Sequence, residues 1–473
     1  MSQARLGESL ASRERSRDAV NARKTATERA VRAGGRRRYG RRVACDDPCW
    51  REILPAEPIR FGSDFAWGVA SSAFQAEGGA VANDWVEAAR EGRVPENPGN
   101  GFWERAESDF ETIAGLGLGH YRLSVEWSRV EPERGRFDAA ALDRYARICE
   151  AARVAGLTPW VNFFHFTHPR WFASSGGFLR RENHGDFLRY VERTARALAP
   201  YVRHFHVQNE SMVYVLVSYL LGQNPPFVRS RDAAFDMTET VLRMTADGAR
   251  RIRHVRPDAI VSGIEVHLDA RPLDPDDPAQ CEGATRFDSW YHGTLLEALA
   301  SGWVRLPGRD PVEIPHLRNA FDFYGFNYYS STAFGPAGPV SYAASADAPL
   351  DAMRRHVFPE GLCDGLLRVA RALPDMPLLV TENGCPTRDE RFRIRYIAAH
   401  LAALDRARRL GADVRGYFHW TAVDNYEWHH GFSDARFGLV GFDPRSGERH
   451  VKQSGHWLAA VIASGKVDPA AIP

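Results

Sequence analysis

The sequence has no run of about 18 apolar residues, which excludes an ordinary membrane-spanning helix. Cysteine is scarce. Six thiols, Cys45, Cys49, Cys149, Cys281, Cys363 and Cys385, are spread without pattern over 473 residues. That excludes a disulfide scaffold and fits a reducing compartment. Cys45 and Cys49 have no matching second pair, so a zinc site is not expected there. Net charge is also nearly absent, at +1 for the whole chain. The protein as a whole therefore has no strong electrostatic pull toward nucleic acid.

The basic residues that stand out lie in the first 50 positions, which end in the run Gly35-Arg36-Arg37-Arg38-Tyr39-Gly40-Arg41-Arg42. This stretch is polar and almost free of aromatics, so it is expected to be a disordered tail. A twin-arginine export signal needs an apolar run after the arginines, and Val43-Ala44-Cys45-Asp46 does not supply one. A cytoplasmic location is the expectation. A nucleic-acid role for the tail lacks interleaved aromatics and a recognisable motif.

What is present is a large apolar and aromatic content, 44% hydrophobic with 12 tryptophans, enough for a big core. From Phe61 onward, short apolar strands alternate with amphipathic helical stretches. Strands are expected at Phe65–Ser71, His120–Val125, Thr158–Phe164, His204–Gln208, Ile260–Ile264, Phe323–Asn327, Leu378–Thr381 and Val414–Phe418. Helices are expected at Ala139–Ala155, Gly185–Ala199, Phe235–Val255 and Arg391–Leu410. Eight strands, each followed by a helix-sized segment, predict an α/β fold, a (β/α)8 TIM barrel, as one domain over residues 51–473. The Asp- and Pro-rich stretch Asp269–Thr285 and the Ala- and Pro-rich stretch Ser331–Met353 read as long βα-loops on the active-site face.

The chemistry gathers at the predicted strand ends. The buried strand in Pro377-Leu378-Leu379-Val380 runs straight into Thr381-Glu382-Asn383-Gly384, a charge where a bland turn is usual. Read in order, the strand ends give Gln75, Arg122, His165, Asn209 with Glu210, Tyr329, Glu382, and Trp420 with Glu427 and Trp428. Sugars carry hydroxyls at the rim and C–H patches on the faces, which carboxylates, amides and indoles complement. Glycosidic cleavage needs two carboxylates flanking one bond, and Glu210 and Glu382 end the fourth and seventh strands.

These motifs resemble the retaining β-glycosidases of glycoside hydrolase family 1. The resemblance runs from about Phe61 to Trp457. It rests on Phe65-Ala66-Trp67-Gly68-Val69-Ala70-Ser71-Ser72-Ala73-Phe74-Gln75, Tyr121-Arg122-Leu123-Ser124-Val125-Glu126-Trp127, Gln208-Asn209-Glu210, Asn327-Tyr328-Tyr329, Thr381-Glu382-Asn383-Gly384 and Trp420-Thr421-Ala422-Val423-Asp424-Asn425-Tyr426-Glu427-Trp428. Their order and spacing together are specific. The resemblance implies that Glu382 is the nucleophile and Glu210 the acid/base, with carboxyls about 5–5.5 Å apart and retention of configuration. Glu210 then has to start protonated. Arg122 and Asn327 support the nucleophile, and Tyr329 donates to it. Gln75, His165, Asn209 and Glu427 grip the glycone, Trp420 stacks under the ring, and Trp428 helps close the site. No cofactor and no metal are implied. The partner is a small β-glycoside or short oligosaccharide.

Three departures qualify the resemblance. Ser211 stands where the family usually has proline after the acid/base. Phe166 replaces the tryptophan after His165 and loses an indole donor. Arg355 or His356 falls where a tryptophan commonly stacks on the aglycone, and a cation there favours a polar or acidic leaving group. Glu427-Trp428 is retained, which argues for an unphosphorylated sugar, most simply a β-glucoside. Transglycosylation at the same site and sugar binding without catalysis are the competing readings. Elsewhere, His165 and His168 do not have helical metal spacing. Glu77, Glu126 and Asp424 are expected to be structural charges.

Overall fold

The computed structural model describes residues 48–473 apart from 80, 337 and 346. Within them, eight parallel strands close a barrel. They are β1 (Ala66–Ala70), β2 (His120–Ser124), β3 (Thr158–Phe164), β4 (His204–Asn209), β5 (Ile260–Val266), β6 (Tyr324–Asn327), β7 (Leu378–Asn383) and β8 (Val414–Trp420). Each pairs with its sequence neighbour, and β8 closes on β1. The (β/α)8 barrel expected from the alternation is the fold observed, with strand ends shifted by at most two residues. The helices Ala139–Val154, His184–Leu198, Arg231–Val255 and Glu390–Arg409 fall where amphipathic patterning puts them.

The strands are buried on both faces, which is why they read as short apolar runs rather than strict alternations. Their outward residues, such as Phe205, Val207, Leu378 and Val380, pack in the layer under the helices. Trp160, Phe323, Leu379 and Phe418 plug the lower barrel. Full burial of one such side chain contributes about 1.5–3 kcal/mol. Gly68 leaves room for the plug, since a Cβ there would lie 2.6 Å from the Phe418 ring. Above this layer the barrel turns polar, with Arg122, Asn209, Asn327 and Glu382 all buried.

The two long βα-segments are more ordered than their composition implied. Asp269–Thr285 contains the strand Ala270–Pro272 and the start of a helix, Pro278–Asp288. Its Asp and Pro residues are helix-start chemistry: Asp277 accepts from the Ala279 and Gln280 amides, and Pro278 takes the first turn. Ala270–Pro272 pairs with Thr332–Gly335, which pairs with Gly338–Ser341, so a small three-stranded sheet joins the two segments.

The basic tail expected over residues 1–50 lies outside the described residues except for its last three. Of these, Trp50 is packed: its ring meets Phe392 edge-on at 5.2 Å and joins a cluster with Val357, Cys385 and Tyr396. Trp50 therefore packs with the domain expected to begin at 51. Among the described residues no helix is long and apolar enough to cross a membrane.

Candidate active site

Both carboxylates owe their aim to a break in strand alternation. On β4, His204 and His206 point into the barrel and stack on Trp160, with centroids 4.1 and 5.7 Å away. Strict period two would then aim Gln208 inward and Asn209 outward. The ladder to β5 instead shifts register between His206 and Asn209. Gln208 turns out and donates to the Val241 carbonyl at 2.8 Å, while Asn209 turns into the barrel mouth. Glu210 follows at φ 50°, in the left-handed region, a conformation that a residue with a Cβ holds only when its surroundings fix it.

On β7, Leu379 joins the inner plug. Alternation would aim Thr381 inward and Glu382 away. Here too the pairing slips: the partner of Asn327 on β6 is Glu382, one place beyond the expected Thr381. Toward β8 the register shifts between Val380 and Asn383. The Thr381 hydroxyl bonds to Asn327 Oδ1 at 2.8 Å, and Glu382 enters the mouth. Gly384 ends the motif because the chain passes tight against β8, where an added Cβ would lie 2.1 Å from the Trp420 carbonyl oxygen.

One cavity of about 390 Å³ receives these side chains. Gln75, His165, Asn209, Glu210, Tyr329, Glu382, Trp420, Glu427 and Trp428 all line it, so nine of the eleven residues singled out in the sequence share one cavity. Arg122 sits just behind. One guanidinium nitrogen pairs with Glu382 Oε1 and the other donates to Asn209 Oδ1 at 2.9 Å. The Tyr329 hydroxyl donates to Glu382 Oε2. Both oxygens of Glu382 are thus held, one by a cation and one by a phenol.

Asn327, expected to support Glu382, turns its side chain to the other glutamate. Its amide donates to Glu210 Oε1 at 2.8 Å, and its own oxygen is taken by Thr381. It therefore orients the other carboxyl. Period two on β6 aims Asn327 inward correctly, but which carboxyl it meets depends on the slip in β7.

The electrostatics separate the two glutamates. Burial and then the Glu382 charge push Glu210 well above the usual carboxylate range, against the opposing Asn327 bond and Arg122 charge. Both causes disfavour the ionised form of Glu210. Burial pushes Glu427 up to about 7, with Arg355 as the chief opposing charge. Burial and Arg122 hold His165 well below its ordinary value, so it is a neutral ring. Its Nδ1 has no partner among the described residues and its Nε2 lies 3.4 Å from the Asn209 amide.

The aromatic walls are fixed from behind. Trp428 stacks on Phe74 at 6.1 Å and leans on Trp85 at 4.5 Å. The His165 ring runs nearly parallel to Trp420 and Trp428. Phe166, at φ 68°, keeps an edge contact to Trp428 at 5.4 Å. Gln75 accepts from the Ser72 hydroxyl at 2.7 Å, and its amide donates to the Tyr426 carbonyl at 2.7 Å and to Glu427 Oε2 at 3.5 Å.

The outer part of the cavity is mixed. Val213, Val217 and Leu268 give it an aliphatic side. Arg355 also lines the cavity, tied to Asp351 at 2.9 Å, with its guanidinium over the Tyr329 and Phe437 rings. His429 reaches the rim and bonds Asn224 at 2.7 Å. Glu77 and Asp424 stay outside the cavity, paired with Arg129 at 3.0 Å and Lys452 at 2.8 Å. Burial pushes the Cys385 thiol up, away from its reactive form. Glu265, which no sequence pattern singled out, is buried just behind Glu210.

Comparison with known proteins agrees with this arrangement. The family model described as glycosyl hydrolase family 1 matches residues 57–467. A β-glycosidase from Pyrococcus horikoshii superposes with a TM-score of 0.80 at 32% identity, covering 88% of this chain and 97% of that one. The β-glucosidase from Thermotoga maritima in complex with glucoimidazole superposes with a TM-score of 0.77 at 28% identity, covering 86% of this chain and 99% of that one. β-Glucosidase A from Thermotoga maritima is 28% identical over 445 residues, 86% of this chain and 99% of that protein. Barrel, paired glutamates and family match converge, and the chain belongs to glycosyl hydrolase family 1.

Proposed function

We propose that the protein is a retaining β-glycosidase that hydrolyses unphosphorylated β-D-glycosides, most simply β-glucosides, by double displacement. The observation that carries this is the division of labour in one cavity: Glu210, its carboxyl pushed up by burial and by the Glu382 charge, shares the cavity with a Glu382 clamped by Arg122 and Tyr329. Glu382 attacks the anomeric carbon as the bond to the leaving oxygen breaks, and Glu210 delivers its proton to that oxygen. The glycosyl ester that forms has no charge on Glu382. One cause of the raised Glu210 pKa is thereby removed, and Glu210 becomes a better base. It then takes a proton from the water that attacks the ester. The two inversions leave a β-product. Glu427 supports the choice of an unphosphorylated glycone, since a carboxylate in the cavity repels a phosphate. The names of the β-glucosidase relatives support the choice of glucose. The test is hydrolysis of a panel of aryl β-glycosides, with the anomer of the first-formed product read by NMR. Activity on none of them, or an α-product, rejects the reading.

Two further outcomes are expected. Asn327→Ala removes a donor that favours the ionised form of Glu210. The proton is then held more tightly, and the alkaline limb of the kcat/KM profile should move to higher pH. Arg355→Trp replaces a cation on the aglycone side with a stacking surface. Rates on neutral aromatic aglycones should rise relative to carboxylated ones by about 1–2 kcal/mol of discrimination, roughly five- to thirtyfold. Unchanged relative rates would show that Arg355 does not read the leaving group.

A further inference from the structure

The residue after the acid/base departs from its family, and the structure gives it a partner. Ser211 opens the short helix Ser211–Val215, and its hydroxyl bonds to Glu265 Oε1. Glu265 Oε2 accepts the Met212 amide at 3.1 Å. One residue earlier on β5, the Ile264 carbonyl accepts the Glu210 amide at 2.6 Å. Two successive residues of β5 thus grip three successive residues at the end of β4. The gripped turn is the one in which Glu210 holds a positive φ.

Glu265 is 4% exposed. Among the described residues no ion pair reaches it, and both its oxygens are satisfied by neutral donors. Such a group is costly to bury as an ion, so another force must keep it there. We propose that Ser211 and Glu265 form a positioning pair for the acid/base: they lock the turn that carries Glu210 and set a second buried carboxyl behind it. This rests on the glycosidase reading above and assigns the pH range in which Glu210 stays a proton donor.

The sign follows from the charges around the two groups. Glu265 is pushed up to about 7, chiefly by burial, with the Ser211 and Met212 donors opposing. Above that pH it carries a negative charge that disfavours ionisation of Glu210. Glu382 acts in the same sense and Arg122 in the opposite one. Tyr291, Tyr324 and Tyr329 also face the pair, and burial keeps all three phenols neutral across this range. Removing the Glu265 charge therefore lowers the pH at which Glu210 loses its proton.

The experiment is a kcat/KM pH profile of the full-length enzyme and of Glu265→Gln, on one aryl β-glucoside with a good leaving group and one with a poor one. The alkaline limb of Glu265→Gln should move to lower pH. On the alkaline side the loss should be on the order of tenfold for the poor leaving group, one pH unit being a factor of ten, and smaller for the good one. Ser211→Ala keeps the backbone and removes a donor that stabilises the Glu265 charge, so it should move the limb the same way by less. It serves as the test if Glu265→Gln does not fold. An active wild type whose limb neither variant moves, or a uniform fall in kcat at an unchanged limb, overturns the pairing and leaves the glycosidase reading intact. A wild type inert on every glycoside overturns both.

Discussion

Glu382→Ala should lose essentially all hydrolysis, on the order of 10⁶-fold in kcat, as when other covalent nucleophiles are removed. That corresponds to about 8 kcal/mol of barrier. The residue has no substitute in the cavity. In the proposed mechanism Glu210 serves as the proton donor, and Glu427 is part of the glycone grip. The variant has a second consequence that must be separated from the first. Arg122 is fully buried and its partner charge is Glu382. Leaving such a cation alone typically costs 3–5 kcal/mol of stability, so part of an apparent loss could come from unfolding. Glu382→Gln resolves this. Its amide oxygen can still accept from Arg122 or Tyr329, which lowers the stability cost, yet it is a poor nucleophile. Thermal melting of both variants beside the wild type gives the folded fraction. Inactivity of a folded Glu382→Gln supports the nucleophile role. Full activity of that variant would move the role to another residue.

Much of this was legible in the chain because the barrel repeats one signal. Each strand is a short run rich in branched and aromatic residues, and eight of them, each followed by a helix-sized segment, leave few other folds. The polar residues that follow each run were readable as a group for the same reason: a barrel sends every strand end to one mouth. Details that depend on register were not readable. Period two from Leu379 gives the wrong aim for Glu382, and period two from His206 gives the wrong aim for Asn209. Two slips in the ladder correct them. No local signal marks a slip, since it is decided by how neighbouring strands pair. The same cause hid the partner of Asn327. Glu265 was hidden differently. It stands directly after the expected strand Ile260–Ile264, and nothing in the sequence marks its partner until Ser211 is seen across from it. Trp50 was assigned to the tail by composition, while its burial comes from Phe392 and Tyr396, more than 300 positions away. Asp277-Pro278 was read as loop chemistry, yet the same two residues start a helix.

Glu210→Ala should divide substrates by leaving group. General acid help contributes about 10²–10⁴-fold, and it is needed only where the departing oxygen is a poor anion. For an alkyl or simple phenyl β-glycoside the variant should lose that whole factor. A dinitrophenyl β-glycoside should still form the glycosyl ester, because its phenolate leaves unaided. The second step then suffers, since water has lost its base. A burst of phenolate followed by slow turnover is the expected trace. Azide is already anionic and needs no base, and the side-chain truncation leaves room for it beside the ester. It should accelerate turnover and yield a β-glycosyl azide, because attack comes from the face that Glu382 does not occupy. The same salt should leave the wild type nearly unchanged, as its water step is already assisted. Rescue of Glu382→Ala by azide would instead give the α-azide, by a single displacement from the vacated side. The anomer of the azide therefore names the face each glutamate guards. A β-azide from Glu210→Ala with an α-azide from Glu382→Ala fixes both roles, and the reverse pair would exchange them.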